Sequence, residues 1–218
     1  MDPINFILYL IVLVFSAILH EIAHGFVAEK LGDPTARLLG RLTLNPKSHI
    51  DPMMTIALPL ILLLTHSPVI IGGAKPVPVD PFNLRDGRKD LALVSLAGPM
   101  TNILLAIIAG LLLKILTPSL MNQPFFLAIL DGRSPSLLSL ILQVNLLLAI
   151  FNLIPIPPLD GSKIFSLLLP EREANTYMSM GNLGMLLLFL LLMFPLPGFS
   201  LSTIIGNIFN FLYSLFGP

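Results

Sequence analysis

The stretch that decides the fold is FSAILHEIAHGFVAEKLGD, residues 15–33, where three ionisable side chains interrupt the end of a long apolar run. The run starts near residue 4 and contains no charged residue before Glu21. A charged side chain at membrane depth costs about 2.5–3.5 kcal/mol on insertion scales. The group formed by His20, Glu21 and His24 therefore requires a compensating interaction.

The motif HEIAH suggests that this interaction is with a metal ion. Its two histidines, His20 and His24, are four residues apart and lie on one face of a helix. Imidazole nitrogens bind zinc at about 2.0–2.1 Å. Glu21 then lies beside the metal without binding it and can take a proton from bound water. We expect one helix from Phe6 to Glu29, ending near Gly32.

The composition places the chain in the bilayer. Of 218 residues, 55% are hydrophobic and 11% are charged, whereas a soluble domain has about 25% charged residues. The net charge of zero argues against a nucleic-acid partner, and the absence of cysteine excludes thiolate ligands. No basic residue precedes the first apolar run, so we do not expect a cleaved signal peptide.

Apolar runs of about 20 residues predict an all-α polytopic membrane protein with five to six transmembrane segments. The clear runs are 4–28, 91–117, 137–157, 177–195 and 199–216. A sixth, 52–72, is interrupted by Pro59, His66 and Pro68, so we expect a broken or re-entrant segment.

Two polar connections have the alternating pattern of short strands. They are RLTLN at 41–45 and KPVPV at 75–79, and the prolines confine the second to a sheet edge. We expect these strand-like pieces on the cytoplasmic side.

A zinc site needs a third protein ligand, and the sequence offers His49, His66 and several carboxylates. Asp160 stands out because it ends NLLLAIFNLIPIPPLD, 145–160, an apolar run broken by three prolines. Broken helices expose backbone groups that are tolerated only in a protein interior or cavity. An ion ligand is one role for Asp160, and a turn or helix cap is the other.

Three motifs together resemble the site-2 protease family of intramembrane zinc metalloproteases. They are HEIAH at 20–24, LAGPMTN at 96–102 and NLIPIPPLDG at 152–161. The resemblance covers about residues 4–170 and is to the small prokaryotic type, for which we expect no PDZ or CBS domain. It implies one zinc ion per chain, bound by His20, His24 and Asp160, with Glu21 as catalytic base and Asn152 close to the site.

The polar connections of roughly twenty residues are too short to form a separate domain, so we expect a single membrane-embedded protease domain over residues 1–218. We expect a catalytic core at about 4–170 and a C-terminal helical hairpin at about 177–216. Asn102 has two possible roles: it faces the site or the substrate, or it makes an interhelical hydrogen bond where Gly98 allows close packing.

The ligand positions predict the topology. His20, His24 and Asp160 must meet at one depth, so the first span and 137–157 run in one direction and 91–117 runs in the other. This path collects ten of the twelve Lys and Arg residues on one face. The positive-inside rule then makes that face cytoplasmic. We expect a multi-pass cell-membrane protein with its site toward the cytoplasm and its N-terminus outside.

The predicted function is hydrolysis of peptide bonds within or near transmembrane segments, in regulated intramembrane proteolysis. The partners are the lipid bilayer and a transmembrane or signal-type helical substrate, with Asn152 and Asn102 binding the peptide or the oxyanion. The strand-like pieces would hold the extended substrate by strand addition. The alternatives are a membrane metal-ion transporter and a non-proteolytic zinc-binding membrane protein. The sequence carries no signal for an oligomeric state.

Overall fold

The computed structural model describes residues 3–64, 74–116, 136–194, 196 and 198–216. Within these ranges the protein is helical and has no β-strand. The α-helices are α1 Pro3–Lys30, α2 Thr35–Leu38, α3 Leu58–Leu64, α4 Gly87–Leu116, α5 Leu137–Asn152, α6 Asp160–Phe165, α7 Glu171–Met178, α8 Gly181–Met193 and α9 Leu201–Ser214.

Helix α1 is 28 residues long and carries the HEIAH motif in its last three turns. It ends where Gly32 adopts a φ of +117°, a backbone conformation that favours glycine. The next amide, that of Asp33, donates to the Ala28 carbonyl at 2.9 Å and closes the last turn. The predicted helix and its stop at Gly32 are both confirmed.

Helix α5 is shorter than the apolar run that contains it. The Ser136 side chain caps its first turn by accepting from the Ser139 amide. The helix ends at Asn152, because proline has no amide proton and disfavours helical backbone in the residue before it. The chain then passes through turns to Asp160, which begins α6.

Helix α4 packs against both α1 and α5 and runs opposite to both. His24 contacts Val94 and His20 contacts Asn102, so residue numbers rise along α1 as they fall along α4. A buried cluster joins α1 to the first half of α5; its members are Tyr9, Val12, Leu13, Leu140 and Val144. Further along both helices Ser16 contacts Asn145, so α1 and α5 run in the same direction. The predicted relative directions of the three helices are confirmed.

Two described helices, α1 and α4, are long and apolar enough to cross a membrane. The pair α7 and α8, bent by 68°, adds a third span if it crosses as one unit. The 16 residues of α5 extend about 24 Å, which is less than the hydrocarbon thickness of about 30 Å. The chain is a membrane protein, and the predicted number of five to six spans is not confirmed.

The strand-like pieces are not confirmed either, since 41–45 forms bends and 75–79 is irregular. Proline supplies no ladder donor, and KPVPV has a proline at every second position. The segment predicted to be broken starts with a π-helical turn, Pro52–Ala57, which α3 continues. Its remainder, including His66, lies outside the described residues.

Candidate metal centre

The structure brings His20, His24 and Asp160 together, although the aspartate lies 136 positions after the second histidine. The two Nε2 atoms are 2.9 Å apart. Asp160 Oδ2 lies 3.1 Å from His20 Nε2 and 3.2 Å from His24 Nε2. All three side chains are buried. Helix α1 supplies the histidines one turn apart, and the start of α6 supplies the carboxylate.

The Nδ1 atom of each imidazole ring is hydrogen-bonded to an oxygen. His20 Nδ1 lies 2.6 Å from Asn102 Oδ1, and His24 Nδ1 lies 2.7 Å from the Val94 carbonyl. Both oxygens only accept hydrogen bonds, so each Nδ1 carries a proton, and in the neutral ring each Nε2 then presents a lone pair. Two lone pairs and the Asp160 carboxylate therefore converge on one point. A cation resolves the repulsion of three converging acceptors, and the donor set of two nitrogens and one oxygen suits zinc.

Gly98 of α4 leaves the space for such an ion. A Cβ atom at this position would lie 2.5 Å from the Nε2 atoms of both His20 and His24. Any other residue would place its side chain over the two lone pairs. The space beside Gly98 and the three donor atoms thus fit a metal ion held by His20, His24 and Asp160.

Lys163 orients the carboxylate from the opposite side. Its Nζ lies 3.1 Å from Asp160 Oδ1, one turn along α6. Because Oδ1 pairs with the ammonium, Oδ2 is the oxygen that faces the imidazoles. Lys163 therefore favours binding of the metal by a single carboxylate oxygen.

Glu21 is half-buried and faces an irregular segment, residues 74–80, here named the strap. The Val77 amide donates to Glu21 Oε2 at 2.7 Å. Gly25, one turn along α1, makes room for the strap, since a Cβ there would lie 2.9 Å from Val77 Cγ1. The carboxylate beside the candidate metal site is thus oriented by a backbone amide.

The strap is anchored on both sides of Val77. Arg41 Nη2 donates to the Lys75 carbonyl at 3.0 Å and to the Pro76 carbonyl at 3.2 Å. Asp33 Oδ2 accepts from the Asp80 amide at 2.8 Å. Side chains of the basic loop and of the turn after α1 therefore determine where the strap lies.

The two asparagines of the prediction lie in different surroundings. Asn102 is fully buried. Its Oδ1 accepts a hydrogen bond from His20 Nδ1, and its Nδ2 donates to Asn145 Oδ1 at 2.8 Å. Asn152 is half-buried, and its Nδ2 donates to the Leu148 carbonyl of its own helix. Among the described residues no hydrogen bond joins Asn152 to the three ligands.

His49 is buried away from the three converging ligands. Its Nε2 donates to the Thr43 carbonyl at 2.8 Å, and its backbone carbonyl accepts from the Lys75 amide. The structure therefore gives His49 a place in the loop that holds the strap.

Sequence reasoning missed three residues: Lys163 contacts Asp160, Val77 contacts Glu21, and Asn145 lies behind Asn102. Asn145 carried a usable signal, since a polar residue within an apolar helix normally has a buried partner. Lys163 lies three residues after Asp160 in a short helix, and this spacing predicts contact between the two side chains. Val77 acts through its backbone amide, so its side chain gave no signal.

Comparisons with known proteins place zinc metalloproteases among the relatives of this chain. The model of peptidase family M50 matches residues 128–194, which include Asp160. A Bacillus subtilis protein named "Putative zinc metalloprotease YwhC" is 37% identical over 200 residues, covering 91% of this chain and 86% of that protein. Rip2 of Mycobacterium tuberculosis, named in the same way, is 30% identical over 202 residues, covering 92% of this chain and 70% of Rip2. No solved structure matches the chain significantly.

Proposed function

Since the chain belongs to peptidase family M50, the site-2 protease family, and is therefore a metalloprotease, we propose that it cleaves membrane proteins within or near their transmembrane segments. The observation that carries this proposal is the convergence of His20, His24 and Asp160 with Glu21 beside them. A metal site with an adjacent carboxylate is what hydrolysis by activated water requires.

The proposed ligands of one zinc ion are His20, His24 and Asp160. Zinc at this position would lower the pKa of a water molecule to about 7 and polarise the scissile carbonyl. Lys163 and Asn102 hold two of the ligands in the orientation that binding needs.

Glu21 is the proposed general base. Its Oε2 accepts from the Val77 amide, and Oε1 has no hydrogen-bond partner among the described residues. Oε1 is therefore the oxygen that takes the proton of the attacking water. The same oxygen then returns the proton to the nitrogen of the departing amine.

Asn152 is the proposed donor to the oxyanion or the peptide. One N–H of its side-chain amide donates to Leu148, which leaves the second for the substrate. Asn102 is less suited to this role, because its side chain is fully buried and bonded at both amide atoms.

The proposed substrate is a transmembrane or signal-type helix in the lipid bilayer. A helix hides its amides in internal hydrogen bonds, so the scissile stretch must unwind before attack. The basic loops lie on the side where α1 ends and α4 begins. The positive-inside rule puts that side in the cytoplasm, so we place cleavage near the cytoplasmic end of the substrate.

The test is cleavage of a panel of single-span helices by the purified protein reconstituted into liposomes with zinc. We expect cleavage by the wild type. Glu21→Gln should keep one zinc ion and lose about 10²- to 10⁴-fold in rate, since the base is removed. Asp160→Ala should lose both zinc and cleavage. Bound zinc is measured by elemental analysis of the same samples.

Glu29→Gln is the matched control, because Glu29 lies on the same helix and pairs with Arg37. It should cleave like the wild type. Equal cleavage by the wild type and Glu21→Gln would contradict the proposal. Zinc flux into liposomes that survives Glu21→Gln would favour the metal-ion transporter instead.

A further inference from the structure

A chain of buried side-chain amides continues behind His20 and crosses three helices. Asn102 of α4 contacts His20 through Oδ1 and donates through Nδ2 to Asn145 Oδ1 of α5. Asn145 Nδ2 in turn lies 2.9 Å from both the Ile141 carbonyl and Ser16 Oγ. Both asparagines are fully buried. We name Asn102 and Asn145 the amide relay.

The direction of every hydrogen bond in the relay follows from its far end. The Ile141 carbonyl only accepts, so the nitrogen of the Asn145 amide must face it. The oxygen of Asn145 then faces Asn102, which must donate with its nitrogen. The oxygen of Asn102 is thereby turned toward His20, and His20 Nδ1 must be the protonated nitrogen.

We propose that Asn145, acting through Asn102, is a positioning residue that fixes the tautomer of His20 and directs its Nε2 lone pair into the metal site. The proposal rests on the ligand set of the proposed function. It adds a residue on α5 that touches neither the candidate ligands nor a substrate, and it gives that residue an effect on metal affinity.

The relay distinguishes the two histidines. His24 Nδ1 donates to the backbone carbonyl of Val94, an acceptor that no side-chain substitution removes. His20 depends on side chains from two other helices. Substituting a residue that hydrogen-bonds to a metal-binding histidine typically lowers metal affinity by about 10- to 100-fold. Removing the relay should therefore affect His20 and leave the His24 tautomer unchanged.

The first measurement is ¹⁵N NMR of the metal-free protein with labelled histidine, which reads the tautomer of each ring directly. In the wild type we expect the proton of His20 on Nδ1. Asn102→Leu and Asn145→Leu should both give a mixture of tautomers at His20 only. The matched control is Thr101→Val, which removes only a hydroxyl bonded to the Ala97 carbonyl within α4 and should leave His20 unchanged.

The second measurement is zinc affinity by competition with a chelator. We expect a loss of about 10- to 100-fold for Asn102→Leu and of about tenfold for Asn145→Leu. In the double variant, Asn145→Leu should add little to the loss of zinc affinity, because Asn145 acts on His20 only through Asn102, which is already replaced. Fully additive losses would overturn the relay, since they would mean two independent packing defects.

A conservative variant keeps the test decisive where a leucine variant fails to fold. Asn102→Asp retains an acceptor for His20 Nδ1, so it should keep the wild-type tautomer and zinc binding. Loss of the His20 tautomer in Asn102→Asp, or its retention in both leucine variants, would overturn the proposal. A wild type that shows the expected tautomer and binds one zinc ion but cleaves nothing would leave the relay standing and contradict the proteolytic function.

Discussion

The two halves of the candidate site are held in different ways. The ligand half, His20, His24 and Asp160, is buried and oriented by groups on helices α4 and α6. The base half is Glu21, the proposed base, which is half-buried and hydrogen-bonded to one amide of the irregular strap. One half is thus part of the helical core, and the other depends on a loop laid across α1.

The proposed ligands and the proposed base thus have separate supports, although His20, Glu21 and His24 lie within about one turn of α1. Helix packing holds ligands within the narrow range of positions that a metal tolerates. The strap, anchored by Arg41 and Asp33, contacts Glu21 through the Val77 amide, and among the described residues it makes no hydrogen bond to the three ligands. Changes in the helices should therefore alter metal binding, and changes in the strap should alter the rate at constant metal content.

The largest expected effect is in the ligand half. Gly98→Ala places a methyl group 2.5 Å from both Nε2 atoms, so we expect loss of zinc binding and of cleavage together. Elemental analysis and the liposome assay measure the two. Gly206→Ala in α9 is the control, because a Cβ there meets nothing within 4 Å. Full zinc occupancy in Gly98→Ala would show that the ion does not lie against α4.

An intermediate effect is expected in the base half. Val77→Pro removes the amide that donates to Glu21. Hydrogen bonds to charged groups contribute about 1.5–3 kcal/mol, so the rate should fall about 10- to 100-fold while zinc content stays constant. Val77→Ala keeps the amide and removes only the side chain. An equal loss in Val77→Ala would assign the effect to packing against Gly25 and contradict the role of the amide.

The smallest expected effect concerns the anchor of the strap. Burial raises the pKa of Asp33, but hydrogen bonds from Thr35, Asn83 and the Asp80 amide outweigh it and bring the pKa below the ordinary value of 3.8. A lowered pKa means that Asp33 stabilises the fold at neutral pH and loses this contribution as pH falls through its folded-state pKa. Asp33→Asn should therefore cost about 2 kcal/mol at pH 7.

The difference in stability between wild type and Asp33→Asn should shrink from about pH 5 downward, as the wild-type carboxylate protonates. Thermal unfolding followed by far-UV circular dichroism measures it, since the chain has no Trp. A difference that stays constant down to pH 2 would show that the charge of Asp33 does not hold the strap.

Local sequence was sufficient for the features set by helix periodicity. The spacing in HEIAH fixes His20 and His24 on one face of α1, and Gly32 ends that helix, as predicted. The requirement that three ligands meet at one depth also gave the correct relative directions of α1, α4 and α5. These features depend on residues close in sequence or on one geometric condition.

By itself, then, the sequence determined a helical chain with membrane-length apolar runs and a histidine pair on one helix face, whereas Asp160 became a candidate ligand through the resemblance to the site-2 protease family. Only the tertiary structure decided that Asn102 points at His20, that Asn145 stands behind it and that Val77 holds Glu21. It also decided against strands in the two alternating stretches of the described loops. The physical reason is that these features depend on hydrogen-bond partners from distant parts of the chain, and an asparagine or a backbone amide has no preferred partner until the helices pack.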